Sequence, residues 1–204
     1  MNAMNIAVFA SGNGSNFQAI VDAANSGQIG VNVALLVCDK PNAKVVERAR
    51  QAGVPVFVFE AKQYATREDY ERQILVALEQ HQIELIVLAG YMRLITDVLV
   101  TPWYGKMINI HPALLPAFPG VNGIRQALEY GVKVTGVTVH FVDGGMDSGP
   151  IIAQTPVSIE DTDTEETLAI RIHQAEHQLL TKVIEAFRLQ QIHLHDRYVR
   201  WEAK

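Results

Sequence analysis

Through the first half of the chain, short apolar runs alternate with stretches in which apolar residues recur every three to four positions. Residues 5–10 (NIAVFA), 31–37, 54–59, 85–89 and 107–110 are apolar with little polar alternation. That is the pattern of strands buried on both faces. Between them, Phe17, Ile20, Val21 and Ala24 share one helical face, closed by Gly27 and Gly30. Residues 43–52 read as a helix between Pro41 and Gly53, and residues 67–81 as an amphipathic helix burying Tyr70, Ile74, Ala77, Leu78 and His81. Strands and helices in alternation predict an α/β fold, a Rossmann-like three-layer α/β/α sandwich on a mostly parallel sheet.

The second half changes character. Residues 110–123 carry Pro112, Pro116, Pro119, Gly120 and Gly123 and predict a long loop, the kind that in compact domains is often functional. A short helix over 124–130 stops at Gly131. Residues 133–142 (KVTGVTVHFV) and 151–157 read as strands. The last helix is expected to start near residues 162–165, where Thr162 and Glu165 fit a Ser/Thr-x-x-Glu capping box. It should run to about Leu189 and bury Leu168, Ile172, Ala175, Leu179, Val183 and Phe187. There is no internal repeat. The reading is a single domain over 1–204, with a Rossmann-like phosphate-binding half (1–110) and a modified half (111–204). Residues 1–3, ahead of the strand pattern that begins at Met4, read as a cloning remnant.

Composition narrows the classes of function. The chain has 204 residues, 49% of them hydrophobic and 19% charged, enough apolar material for a packed core. Seventeen Lys+Arg against 22 Asp+Glu give a net charge of -5, and basic clusters are lacking, so no nucleic-acid partner is expected. The single cysteine, Cys38, lies in the apolar run 33–38 and reads as a buried small hydrophobe. No apolar stretch approaches the ~20 residues that span a bilayer, and no leader precedes the first strand. A soluble, cytoplasmic protein with no membrane partner is the expectation.

Candidate chemistry gathers in three loops. Ser11-Gly12-Asn13-Gly14-Ser15-Asn16 links the first strand to the first helix. Glycines allow close backbone approach, and helix N-terminal amides attract anions, so a phosphate suits the loop; a tight turn that binds nothing is the alternative. Phe17 replaces the third glycine of the dinucleotide fingerprint, and no Walker sequence is present. Asn109 and His111 lie two apart where the fifth strand ends and so face one side, with Pro112 restricting His111 to extended backbone. A structural pair in a turn is the alternative there. Asp143-Gly144-Gly145-Met146-Asp147-Ser148-Gly149-Pro150 follows the strand containing His140, and reads either as an ordinary turn or as the carboxylate of a proton-transfer site. His193, His195 and Asp196 read as an exposed tail strand in preference to a metal cluster, and no metal is expected.

These segments, together with Leu88-Ala89-Gly90-Tyr91-Met92-Arg93-Leu94, Asn109-Ile110-His111-Pro112-Ala113-Leu114-Leu115-Pro116 and Gly136-Val137-Thr138-Val139-His140-Phe141-Val142, resemble the phosphoribosylglycinamide formyltransferase family. The likeness covers nearly the whole chain in the same order. It implies formyl transfer from 10-formyltetrahydrofolate, a co-substrate, to the amine of glycinamide ribonucleotide, in purine synthesis. The family's catalytic trio falls on Asn109, His111 and Asp147: oxyanion donor, proton donor, and the carboxylate that keeps His111 charged. Ribonucleotide contacts fall on Gly14, Ser15, Asn16, His173 and Glu176, His173 standing where some members have Gln. Folate contacts fall on Arg67, Met92, Arg93, Leu94, Ile95, Asn109, Asp143, Gly144, Gly145, Met146 and Asp147. After Pro119-Gly120, where many members carry histidines, this chain has Val121-Asn122-Gly123-Ile124. The partners implied are small molecules, with a homodimer left open as the assembly. A folate deformylase would be expected to carry an added N-terminal domain and a tRNA-directed formyltransferase an added C-terminal one. A non-catalytic sugar-phosphate sensor would have no use for the trio.

Overall fold

The computed structural model describes residues 3–202, so Met1 and Asn2 of the leading segment lie outside the described residues. The chain forms two compact units, Met1–Ile108 and Asn109–Lys204. One seven-stranded sheet has the order β3-β2-β1-β4-β5-β6-β7.

In the first unit, β1 (Met4–Phe9), β2 (Val31–Cys38), β3 (Val56–Val58) and β4 (Leu85–Leu88) are all parallel. Every residue of β4 is buried, as its unbroken apolar run requires. The helices α1 (Ser15–Asn25), α2 (Lys44–Gln51) and α3 (Arg67–Gln80) stand where the sequence periodicity places them. Thr66 starts α3 through a capping box with Asp69. His81 sits just past the last turn, half-buried, instead of on the buried face. Glu71 takes a buried place on α3 that the pattern did not assign. A further helix, α4 (Asp97–Trp103), lies where sequence periodicity marked none. It is short, holds Pro102 in its last turn, and begins at Thr96, whose side chain accepts from the Val98 amide.

Strand order places a topological switch point between β1 and β4. From β1 the chain moves out through β2 and β3, then returns to β4 on the other side. Outgoing loops at such a point diverge and leave a crevice at the carboxyl edge. Phe9 is level with Leu88, so the crevice is bounded by the segments that follow these two residues.

The second unit carries β5 (Met107–His111) across its start, then α5 (Gly123–Tyr130), β6 (Val134–Phe141), β7 (Ile151–Ser158) and α6 (Glu165–Arg188). Asn109, Ile110 and His111 are therefore strand residues; the Pro-rich loop starts only at Pro112. β6 and β7 pair antiparallel, Val134 opposite Ser158. The capping box of α6 is Thr164 with Thr167, two residues later than the Thr162–Glu165 pair. Threonine at the third helical position closes the box through its hydroxyl in place of the expected Glu. Leu168, Ile172, Leu179 and Val183 are buried as expected, whereas Ala175 and Phe187 are only half-covered. The tail makes a hairpin of its own, β8 (Ile192–His195) against β9 (Tyr198–Trp201).

Gly14 shows how tightly the first crossover is packed. It caps α1 with φ 77, and a Cβ built on it would lie 2.5 Å from Cγ2 of Val45 on α2. Both the left-handed backbone and the missing side chain are required. Gly14→Ala is expected to lower unfolding stability by about 1–3 kcal/mol, measured as a shift of the urea midpoint at unchanged slope.

Candidate active site

In the first unit, the glycine loop is held from α2. The Val45 amide donates to Gly12 O at 3.1 Å, Arg48 Nε to Asn13 O at 2.9 Å, and Arg48 Nη2 to Asn13 Oδ1 at 3.1 Å. Gly14 offers no side chain to cap α1, and the first turn carries no acidic residue. That leaves the positive end of the helix macrodipole uncompensated. Gly12 is the glycine with room: a Cβ there meets nothing within 4 Å. Gly12 and Gly14 therefore serve different ends, close approach from outside and packing from inside.

The segment after β4 holds Met92, Arg93, Leu94 and Ile95. Met92 and Leu94 are exposed at 60% and 50%, although the loop that bears them is tied down. Arg93 Nε donates to Asp39 Oδ2 at 2.7 Å; the Asp39 side chain is buried. Hydrogen bonding to Asp39 outweighs the burial cost and pushes the guanidinium further up from its ordinary value. Arg93 lines a cavity of about 390 Å³ with Lys40, Asn42 and Lys62. It also borders one of about 360 Å³ with Arg67 and Tyr70. Arg67, the first residue of α3, thus shares a cavity with Arg93. Cys38 faces inward as a small hydrophobe: burial pushes its thiol up, and Sγ lies 3.3 Å from Lys40 O.

In the second unit the structure brings Asn109, His111 and Asp147 together and adds His140. Thr138 of β6 builds the approach: its hydroxyl donates to Ala113 O at 2.6 Å and accepts from the Leu115 amide at 3.0 Å. Gln154 of β7 donates to Leu115 O at 2.9 Å. The loop after β5 is thus fastened to the β6–β7 hairpin. Asp147 occupies φ 50, a backbone region that costs a non-glycine residue about 1–3 kcal/mol. Its Oδ2 accepts from the Gly120 amide at 2.7 Å and lies 3.4 Å from His111 Nδ1. Its Oδ1 lies 3.4 Å from Asn109 Nδ2 and 3.7 Å from His140 Nε2. Burial would raise this carboxyl, but His140, the Gly120 amide and the facing charge of His111 together hold it below the ordinary carboxylate range.

The two histidines are held differently. His111 is buried, with Nε2 2.8 Å from Phe118 O and Nδ1 toward Asp147. Both ring nitrogens face oxygen acceptors, as a ring with two N–H donors needs. His140 is buried with Nδ1 2.8 Å from Phe141 O and Nε2 3.1 Å from Asn109 Nδ2. His140 Nε2 thus stands between the Asn109 amide and Asp147 Oδ1, accepting from the first as a neutral ring and donating to the second when it carries a proton. From the sequence alone His140 is no more than a strand residue. Its signal is the period of two on β6, which turns Thr138 and His140 to one side. The segment around Phe118 and Gly120 acts through its main chain, so the lack of histidines at 121–124 removes none of these contacts.

Asp143 is a brace. Its Oδ1 accepts from the Gly145 amide at 2.9 Å and from Ser148 Oγ at 2.6 Å. Gly149 is forced by packing, since a Cβ there would lie 1.8 Å from Phe141 O. Gly144, Gly145 and Met146 are exposed. On α6, His173 Nδ1 lies 2.9 Å from Glu176 Oε2. Glu176 is buried and His173 half-exposed, and bonding to Glu176 raises the imidazole above its ordinary value. His193 and His195 belong to β8. Among the described residues no group of His, Cys, Asp and Glu could hold a metal ion.

The chain is similar to known proteins over most of its length. The profile of the formyl transferase family matches residues 4–184. A phosphoribosylglycinamide formyltransferase of Bacillus subtilis (strain 168) is 55% identical over 178 residues, which are 87% of this chain and 91% of that one. The crystal structure of glycinamide ribonucleotide transformylase 1 from Symbiobacterium toebii superposes with a TM-score of 0.96 at 41% identity, over 98% of this chain and 95% of that one. Glycinamide ribonucleotide transformylase 1 from Geobacillus kaustophilus gives 0.89 at 54% identity, over 91% and 99%. With the trio assembled and the likeness running through nearly the whole length, the chain belongs to the formyl transferase family, among the phosphoribosylglycinamide formyltransferases.

Proposed function

We propose that this protein transfers the formyl group of 10-formyltetrahydrofolate to the amine of glycinamide ribonucleotide, releasing tetrahydrofolate, as a step of purine synthesis. The observation that carries the reading is the cluster of Asn109, His111, His140 and Asp147 around one partly covered carboxylate. The amine attacks the formyl carbon, and a tetrahedral intermediate forms with negative charge on the former carbonyl oxygen. Asn109 donates to that oxygen. Its amide protons face His140 and Asp147, so one of these contacts is exchanged for the oxyanion when the intermediate forms. His111 supplies the proton that the departing folate nitrogen takes and recovers one from water at Asp147, to which the attacking amine has given its own. The balance is one proton lost by the amine and one gained by tetrahydrofolate. Electrostatic stabilisation of this kind acts best where the donors are already placed.

In the first unit, the uncapped N-terminus of α1 with Gly12, Gly14, Ser15 and Asn16 is suited to the ribonucleotide phosphate. Met92, Arg93, Leu94, Ile95 and Arg67 are read as folate contacts there. In the second unit, Asp143–Asp147 is read as a folate contact, and His173 with Glu176 as ribose contacts. No described helix is long and apolar enough to cross a membrane. A cytoplasmic location and a homodimer belong to the same reading, the dimer checked by sedimentation.

His111→Ala should lower kcat about 10²–10⁴-fold, the usual loss of a positioned acid, with the circular dichroism spectrum unchanged. A wild-type kcat would remove His111 from the mechanism. Gly12→Ala should keep wild-type stability, because its Cβ enters open space, yet weaken glycinamide ribonucleotide at least about tenfold by obstructing backbone approach. Calorimetric titration measures this; equal weakening of the formyl donor would move the phosphate elsewhere.

Asp147→Asn keeps size and removes charge. kcat is expected to fall by about two orders of magnitude, while both substrates still bind. Stability gives a second reading. A carboxyl lowered on folding stabilises fully above its unfolded value, about 3.9, and that stabilisation fades as pH falls through the lowered folded value. The wild-type advantage over the variant in thermal melts should therefore hold at neutral pH and close below about pH 4. A gap that widens with acid would reverse the assignment.

A further inference from the structure

The segment from Tyr91 to Ile95 poses a physical problem. It has no regular secondary structure, and it presents Met92 and Leu94 to solvent. A loop free to relax would turn such side chains inward. Two buried polar side chains from outside the segment prevent that. Ser11 follows β1 and is 2% exposed; its Oγ accepts from the Met92 amide at 2.9 Å, and its own amide donates to Gly90 O at 3.0 Å. Glu71 on α3 is 1% exposed; its carboxylate accepts from the Thr96 amide at 3.0 Å and from the Thr96 hydroxyl. Thr96 in turn starts α4. One anchor thus holds the segment near its start and the other just past its end.

We infer that Ser11 and Glu71 are positioning residues for the formyl donor: they fix both ends of the Tyr91–Ile95 segment so that its backbone and exposed apolar side chains form a ready-made platform at the switch point between β1 and β4. This rests on the folate reading of Met92–Ile95 given above. Neither side chain touches the reacting atoms. Their contribution is to avoid ordering the loop at the moment of binding, a cost that would otherwise be subtracted from affinity. Burying a carboxylate at Glu71 is itself unfavourable. Desolvation pushes its carboxyl up against the lowering effect of the Thr96 bonds, and bonding to the loop is what this buried group has been given to do. An amide in place of the carboxylate could still accept from the Thr96 amide and donate to its hydroxyl, so Gln is the conservative replacement.

The test is steady-state kinetics on the full chain, varying 10-formyltetrahydrofolate and glycinamide ribonucleotide in turn. Ser11→Ala and Glu71→Leu should each raise the KM for 10-formyltetrahydrofolate about tenfold, which corresponds to about 1.4 kcal/mol. kcat at saturation and the KM for glycinamide ribonucleotide should stay within about twofold. Glu71→Gln should restore most of the loss. A purely structural role would lower stability without this split, or weaken both substrates alike, and either result overturns the proposal. So does an unchanged KM for the formyl donor in Ser11→Ala, which decides alone if Glu71→Leu does not fold. Failure of the wild-type protein to use 10-formyltetrahydrofolate would instead refute the folate reading on which the proposal stands.

Discussion

The second unit keeps one carboxylate charged while partly removing it from water. Asp147 is held in a left-handed conformation, accepts from the Gly120 amide, and faces two imidazoles and an amide within 3.7 Å. Each contact compensates part of the solvation that burial removes, and their sum is enough to keep the group ionised more firmly than a free side chain. Without those partners burial would instead push the carboxyl above its ordinary value. Much of the surrounding architecture serves this balance. Thr138 and Gln154 fasten the loop after β5, Asp143 braces the loop that carries Asp147, and the missing side chain of Gly149 lets that loop close against Phe141.

The first unit solves a different problem, the presentation of backbone. Its loops at the switch point carry few side chains of obvious chemistry, and what they offer is geometry: an uncapped helix end, an open glycine, and an exposed apolar segment that does not collapse. Rigidity there comes from buried polar anchors. Asp39 holds the Arg93 guanidinium, and Ser11 and Glu71 hold main-chain amides. A buried polar group left without a partner is costly, so each anchor penalises the loop for moving away. Loops built this way bind without first having to be ordered.

Sequence by itself determined the layer architecture, because strands buried on both faces must be apolar throughout and helices covering them must be amphipathic with a period of 3.6. It also singled out Asn109, His111 and Asp147, through the resemblance of short motifs, as residues to be found side by side. What it could not settle was set by contacts between distant segments. Gly14 is glycine because Val45, 31 positions on, occupies the space a Cβ would need. His140 joins the cluster because Asn109 and Asp147, from other segments, come within 3.1 and 3.7 Å of its Nε2. The α6 cap is Thr164 with Thr167 and not Thr162, because more than one Ser/Thr-x-x spacing is open to the chain and local pattern does not choose among them. α4 escaped notice because seven residues with a proline hold too little periodicity to be read. Local pattern reports what each segment can bury, and only the folded chain decides which side chain a given backbone amide meets.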